Sequence, residues 1–169
     1  DEWIELFNNT TSSIDLAGWK IKKKNEDFIT ISTSTAATTT ISAGGFYLLE
    51  RVEKATNITA DLVYGGERMS NNGEKLELRD ASSTLIDLVD CTSGWFAGTT
   101  TPEYISMERI SATTSGATST NWADNNLITR NGKDAEGNPI NGTPKSENSV
   151  SKSETEIFPP GLSAFNEFN

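Results

Sequence analysis

Apolar and polar residues alternate with a period of two through much of the chain, between short clusters of Gly, Asn, Asp and Ser. The runs are "EWIELFN" (2–8), "GWKIKKK" (18–24), "DFITIS" (27–32), "TTTISA" (38–43), "GFYLLER" (45–51), "ADLVYG" (60–65), "EKLELRD" (74–80), "STLIDLVD" (83–90) and "EYISMERI" (103–110). A period of two places alternate side chains on opposite faces of an extended strand, whereas no segment sustains the i, i+3, i+4, i+7 stripe of a helix. Each run is expected to be a strand. Punctuation by "NNTTSS", "SAGG", "SNNGE" and "DASST" fits hairpin chemistry, and many short strands so spaced predict an antiparallel β-sandwich or barrel.

Beyond Ser111 the alternation thins. "SATTSGATSTNWADNN" and "NGKDAEGNPINGTPKSENS" read as long polar loops, with Trp122 expected to pin the first of them to the core. Residues 1–149 form the expected module. Residues 150–169 are expected to be a polar linker followed by an apolar tail, "IFPPGLSAFNEFN". The chain opens at Asp1 inside a strand-like pattern, which points to a fragment of a longer protein.

Several blocks, in order and at ordinary spacing, carry a family resemblance. "EWIELFNNTTSSIDLAGWKIKKKN", "ISAGGFYLLER", the stretch around "SNNGEKLELRDASSTLIDLV" with Met69 in the family's Leu place, "SMERI" with a downstream "NW", and "NGTPKSENS" together resemble the lamin tail domain in its bacterial form. The resemblance implies an all-β, immunoglobulin-like antiparallel β-sandwich with long polar loops. It also implies a non-catalytic interaction module, in bacteria appended to secreted or surface proteins. Family members carry a further strand before the block matching "EWIEL". Its absence would leave an unpaired strand edge, a site for self-association unless "LSAFNEF" (162–168) or the same segment of a neighbouring molecule covers it.

Charge and composition narrow the chemistry. A formal net charge of −10 and a sequence pI near 4.5 set the overall field against a phosphate backbone, so nucleic acid is a disfavoured partner. The chain has no His, which removes imidazole-based triads and metal sites, and the lone Cys91 has no evident base. The carboxylates are scattered singly, without the paired arrangement of a glycosidase. No catalytic residue, metal site or cofactor is expected. Asp134, Glu136 and Asn138 in "DAEGN" sit at alternate positions faintly like a calcium loop. Gly137 is at the wrong offset, however, and turn chemistry accounts for the stretch. No apolar run reaches the eighteen or so residues that a membrane-spanning helix needs.

Four groups of residues remain. Trp19, Trp122 and Met107 are expected in the core, and Arg109, in phase with Met107, is expected to be a buried cation paired with Glu5 or Glu50. Trp95 and Phe96, adjacent in a Gly-rich loop, cannot both face inward, so they mark a candidate ligand surface. Lys20, Lys22, Lys23 and Lys24 are either a basic docking patch or the solvated end of a strand whose charge Glu26 and Asp27 offset. The expected function is attachment to a protein or other surface ligand at the cell surface or outside the cell. Carbohydrate binding is the alternative, and nucleic-acid binding through the lysines ranks below it.

Overall fold

The computed structural model describes residues 2–151 and 165–169. Among these, twelve strands form: β1 Trp3–Phe7, β2 Ile14–Asp15, β3 Lys20–Lys23, β4 Glu26–Thr30, β5 Thr40–Ile41, β6 Phe46–Glu50, β7 Leu62–Val63, β8 Lys75–Arg79, β9 Leu85–Asp90, β10 Met107–Arg109, β11 Trp122–Asp124 and β12 Phe165–Phe168. Eight of the nine runs read from the alternation contain one of them, and the ninth, 27–32, overlaps β4, which starts one residue earlier at Glu26. The strands outside these runs, β2, β11 and β12, are short and lie in polar surroundings or beyond the expected module.

Two sheets face each other. One has six strands in the order β11-β10-β12-β1-β6-β7, the other has four in the order β4-β3-β8-β9, and β2 pairs with β5 beside them. Every pairing of named strands is antiparallel except that of β6 with β7. The six-stranded sheet sends Ile4, Leu6, Tyr47, Leu49, Met107, Phe165 and Phe168 into the core, and the four-stranded sheet answers with Ile21, Ile29, Leu76, Leu78 and Val89. Burial of each such side chain contributes about 1.5–3 kcal/mol, which makes this two-layer core the main source of stability.

Local chemistry sets the turns. Lys24 and Asn25 connect β3 to β4 with φ of 51° and 68°, the two left-handed residues of a tight primed hairpin. Asn8, fully buried after β1, donates from its amide to the carbonyls of Ser12, Ile41 and Ser42, fastening two loops to one another. Gly73 has φ of 97°, and a Cβ there would lie 2.0 Å from the Cys91 carbonyl oxygen, so the approach of β8 to the end of β9 requires glycine.

The C-terminal stretch enters the sheet. Phe165–Phe168 lies between β1 and β10, so β1 has a neighbour on each side, and the Trp3 and Asn169 backbones exchange hydrogen bonds at 3.0 and 3.2 Å. This segment is part of the stretch expected as a tail and of the "LSAFNEF" expected to cover β1. Residues 152–164, which hold most of the expected linker and tail, lie outside the described residues.

Candidate functional site

At the end of the sandwich where β1 begins and β12 finishes, a cleft of about 870 Å³ opens. Its walls are the 68–71 segment, the loop at 95–101 and the strand ends around Met107, Phe168 and Asn169. Trp95 is held half-buried in it: the indole N–H donates to the Ser70 carbonyl at 2.8 Å and the ring lies 6.1 Å from that of Phe168. Glu2 holds the 68–71 wall by accepting from the Met69 N–H at 3.0 Å and also accepts from the Tyr64 hydroxyl at 2.9 Å, with Arg51 Nε 3.7 Å away. The loop is closed by reciprocal backbone hydrogen bonds between Thr99 and Ile105, at 2.9 and 3.1 Å.

Tyr104 tops this loop. Its side chain is 58% exposed and its backbone adopts φ of 46°, a left-handed conformation uncommon for an aromatic residue. Tyr104 and Asn169 also line a second, polar cleft of about 460 Å³ that includes Glu103, Asp134, Glu136 and Asn141. An exposed ring between two polar-walled depressions can hold an extended polar chain by stacking and hydrogen bonding. Sequence reasoning missed Tyr104, because nothing in "TPEY" signals a left-handed backbone.

The expected ligand residues separate. Trp95 lines the cleft, whereas Phe96 does not; both rings are half-buried and packed against the core. The lysines are matched by carboxylates: Lys20 and Lys22 reach Asp27, the latter at 3.7 Å, Lys23 reaches Glu67 at 3.1 Å, and Lys23 and Lys24 each lie 3.9 Å from Glu74. The Lys20 hydrogen bond, more than any other influence, holds the Asp27 carboxyl below its usual range. The Lys23 ammonium also lies over the Phe28 ring, 4.5 Å from its centre.

Trp122 is buried, donates to the Gly116 carbonyl at 2.8 Å and so anchors the polar loop before it. Met107 is buried in the core and Trp19 packs half-buried against it. Arg109 is a buried cation, but its partner is neither Glu5 nor Glu50. Its Nη1 lies 2.6 Å from Asp87 Oδ2 on β9 of the opposite sheet and donates to the Phe165 carbonyl at 2.8 Å, while Nη2 donates to the Thr114 carbonyl. The reason is facial: Glu5 stands between core-facing Ile4 and Leu6 and therefore points outward, and Glu50 follows core-facing Leu49.

Glu5 belongs to a different constellation. On the outer face of the six-stranded sheet it sits opposite Glu167, which in turn sits opposite Glu108, and all three are fully buried. The "NGTPKSENS" segment (141–149) covers them. Thr143 donates to Glu167 through its N–H (2.9 Å) and its hydroxyl (3.0 Å), Ser149 donates to Glu108 (2.6 Å) and the Lys145 N–H donates to Glu5. Asn125 and Asn166 donate to Glu108 (2.6 Å) and Glu5 (3.0 Å), and the buried Ser106 hydroxyl donates to Glu167. Gly142 permits this cover, since a Cβ there would fall 2.8 Å from Glu167 Oε1. Burial pushes the Glu5 carboxyl up to about 8 and, reinforced by Glu108 and Glu5, raises that of Glu167 well above the ordinary range.

Neither remaining candidate gathers reactive groups. Asp134 accepts from the backbone N–H groups of Glu136 and Asn138 at 3.0 and 2.8 Å and from the Asn138 side chain at 3.1 Å, which makes "DAEGN" a self-contained turn. Burial pushes the Cys91 thiol up to about 11, away from nucleophilic thiolate.

Two facing sheets, with a core drawn from both, define an immunoglobulin-like β-sandwich. Residues 1–93, β1 to the turn after β9, match the Lamin Tail Domain family, and the chain belongs to that family of non-catalytic immunoglobulin-like domains. Strands β10 to β12 lie beyond the matched residues. No curated protein and no solved structure matches the chain.

Proposed function

We propose that this chain is a non-enzymatic attachment module of an exported or surface protein, and that it takes an extended segment of a partner protein across the Tyr104 end of the sandwich. The observation that carries the reading is Tyr104, 58% exposed on a left-handed backbone between two clefts. Strained conformations persist where the surrounding fold holds them in place, and an exposed aromatic on a rigid loop contributes contact area at small cost in conformational entropy. The Ser-, Thr- and Asn-rich surface and the net charge of −10 fit a solvated, exported domain whose partner meets it locally.

Carbohydrate is the second reading. It is favoured by the same pairing of Tyr104 with the hydroxyl and amide groups of Thr99, Thr100, Thr101 and Asn141 around the clefts. A panel of peptides and glycans, screened by intrinsic tryptophan fluorescence that reports Trp95 in the cleft wall, tests both. A ligand whose affinity drops at least roughly tenfold on Tyr104→Ala supports the site, since a central aromatic anchor is worth about 1–3 kcal/mol. Ligands that bind Tyr104→Ala as well as the original chain would remove it.

A further inference from the structure

Strand β12 is held on both sides by elements far from it in the chain: β1 begins at Trp3 and β10 ends at Arg109. β1 and β10 do not pair with one another, so removing β12 would split the six-stranded sheet into β11-β10 and β1-β6-β7 with two open edges. The slot between them reads a strand by its side chains. On the core side Phe165 and Phe168 stack 5.4 Å apart, and Phe168 lies 5.5 Å from Trp122. On the outer side Asn166 and Glu167 meet Glu5, Asn148 and Thr143. The Phe165 backbone is gripped at both polar groups, its N–H by Asp87 (3.1 Å) and its carbonyl by Arg109 (2.8 Å).

None of these contacts depends on which molecule supplies the strand. We propose that the slot between β1 and β10 is a strand-acceptor site that exchanges its own C-terminal strand for that of a second copy of this chain, joining copies into dimers. The occupant is fixed by the pattern: aromatic residues inward at both ends, with an amide and a carboxyl outward between them. Main-chain pairing on two edges would hold the exchanged strand as it holds the native one.

The outer carboxyls supply the control. Glu167 faces Glu5 from β1 and Glu108 from β10, and from the covering segment it faces neutral Thr143. The cation of that segment, Lys145, spends its ammonium on Asp61 at 2.9 Å and offers Glu5 only its backbone N–H. Arg109 lies on the core face with Asp87. The docked strand therefore carries Glu167 as a neutral acid, and its ionisation in alkaline solution sets like charges side by side and loosens the strand.

Sedimentation of the full chain over roughly a thousandfold range of concentration, after incubation near neutrality and at roughly pH 9, tests the exchange. The expected result is a dimer fraction that rises with concentration and forms faster at the higher pH. A labelled peptide of residues 162–169, in roughly tenfold excess, should lower that fraction several-fold and travel with the monomer. The same peptide with both Phe replaced by Ala should do neither. Glu167→Gln should weaken the pH dependence of the exchange rate, leaving the share that Glu5 contributes. A monomer throughout, a dimer indifferent to the peptide, or a Glu167→Gln chain that keeps the full pH dependence overturns the proposal. The strand shares Phe168 and Asn169 with the cleft, and Asn169 donates to the Tyr104 backbone carbonyl at 3.3 Å, a group that Tyr104→Ala keeps, so this variant should leave the dimer fraction unchanged.

Discussion

Arg109 on β10 reaches through the core to Asp87 on β9, 2.6 Å away, and so ties the two sheets of the sandwich together at a point where both groups are almost fully buried. The ion pair also brackets the first residue of β12, because each member holds one polar group of the Phe165 backbone. Removing one partner strands the other in the interior. Arg109→Met should therefore lower stability by about 3–5 kcal/mol, with Asp87→Leu restoring a large part in the double variant. Denaturant unfolding of the cycle measures this coupling, and the corresponding cycle of Arg109 with Glu5 should show none, since those groups occupy opposite faces.

The outer carboxyls predict an unusual pH dependence. Glu5 titrates from 4.5 to about 8 on folding, and Glu167 shifts in the same direction. A carboxyl with a raised folded pKa binds its proton more tightly in the folded chain. Its contribution is thus whole below the unfolded pKa and is lost as pH rises through the folded one. Stability should fall from about pH 4.5 towards pH 8, by up to about 1.4 kcal/mol per unit for each group, and the Glu5 share should level off above that. Melting temperatures across this window check the slope, and Glu167→Gln should reduce it. Asp27 and Asp134, whose carboxyls are held low by hydrogen bonds, act in the opposite sense and only in acid.

Gly73→Ala should destabilise by about 1–3 kcal/mol or more, because backbone strain there is joined by a direct collision with the Cys91 carbonyl. Gly137→Ala is the matched comparison: its φ of 88° is similar, but its Cβ would meet nothing within 4 Å. Thermal unfolding should rank the first variant well below the second.

Replacing Lys20, Lys22, Lys23 and Lys24 together by Ala should cost little at Lys20 and Lys22, whose solvent-facing ion pairs with Asp27 contribute about 0–1 kcal/mol each, and most at Lys23, which is 10% exposed between Glu74 and the Phe28 ring. It should also leave any attachment through Tyr104 intact. Salt-sensitive DNA binding that disappears in this variant would instead restore the lysines as a docking patch.

The strands that the alternation announces most plainly are those with one apolar phase, such as "EKLELRD", where Leu76 and Leu78 face the core and Lys75, Glu77 and Arg79 take the other phase; "EWIELF" is apolar in both, with Ile4 and Leu6 on one and Trp3 and Phe7 beside Glu5 on the other. The outward position of Glu5, which rules it out as the partner of Arg109, was therefore not fixed by the pattern. Nor was the inward one of Asp87. "LIDLVD" is apolar in both phases, with Ile86 and Leu88 half-buried on one and Val89 fully buried on the other, so its pattern does not say which side Asp87 takes. β12, expected within "LSAFNEF" only as a cover for β1, is missing from the alternating runs for another reason. "FNEF" carries Phe at positions three apart with polar residues between them, and the irregular register of β1 against β12 between Glu5 and Leu6 brings both rings to the core. Tyr104 and the cleft depend on backbone conformation and on loops meeting in space, which a linear pattern does not encode.

Because Asn169 and Trp3 exchange backbone hydrogen bonds, the last and first strands of the fold run as the two arms of a hairpin that lacks only its bend. A few turn-forming residues joining them would close the polypeptide into a ring without moving a strand. The ring could then be opened at the exposed turn around Gly137 and Asn138, giving a rearranged chain order in which β12 leads directly into β1 and the sandwich is unchanged.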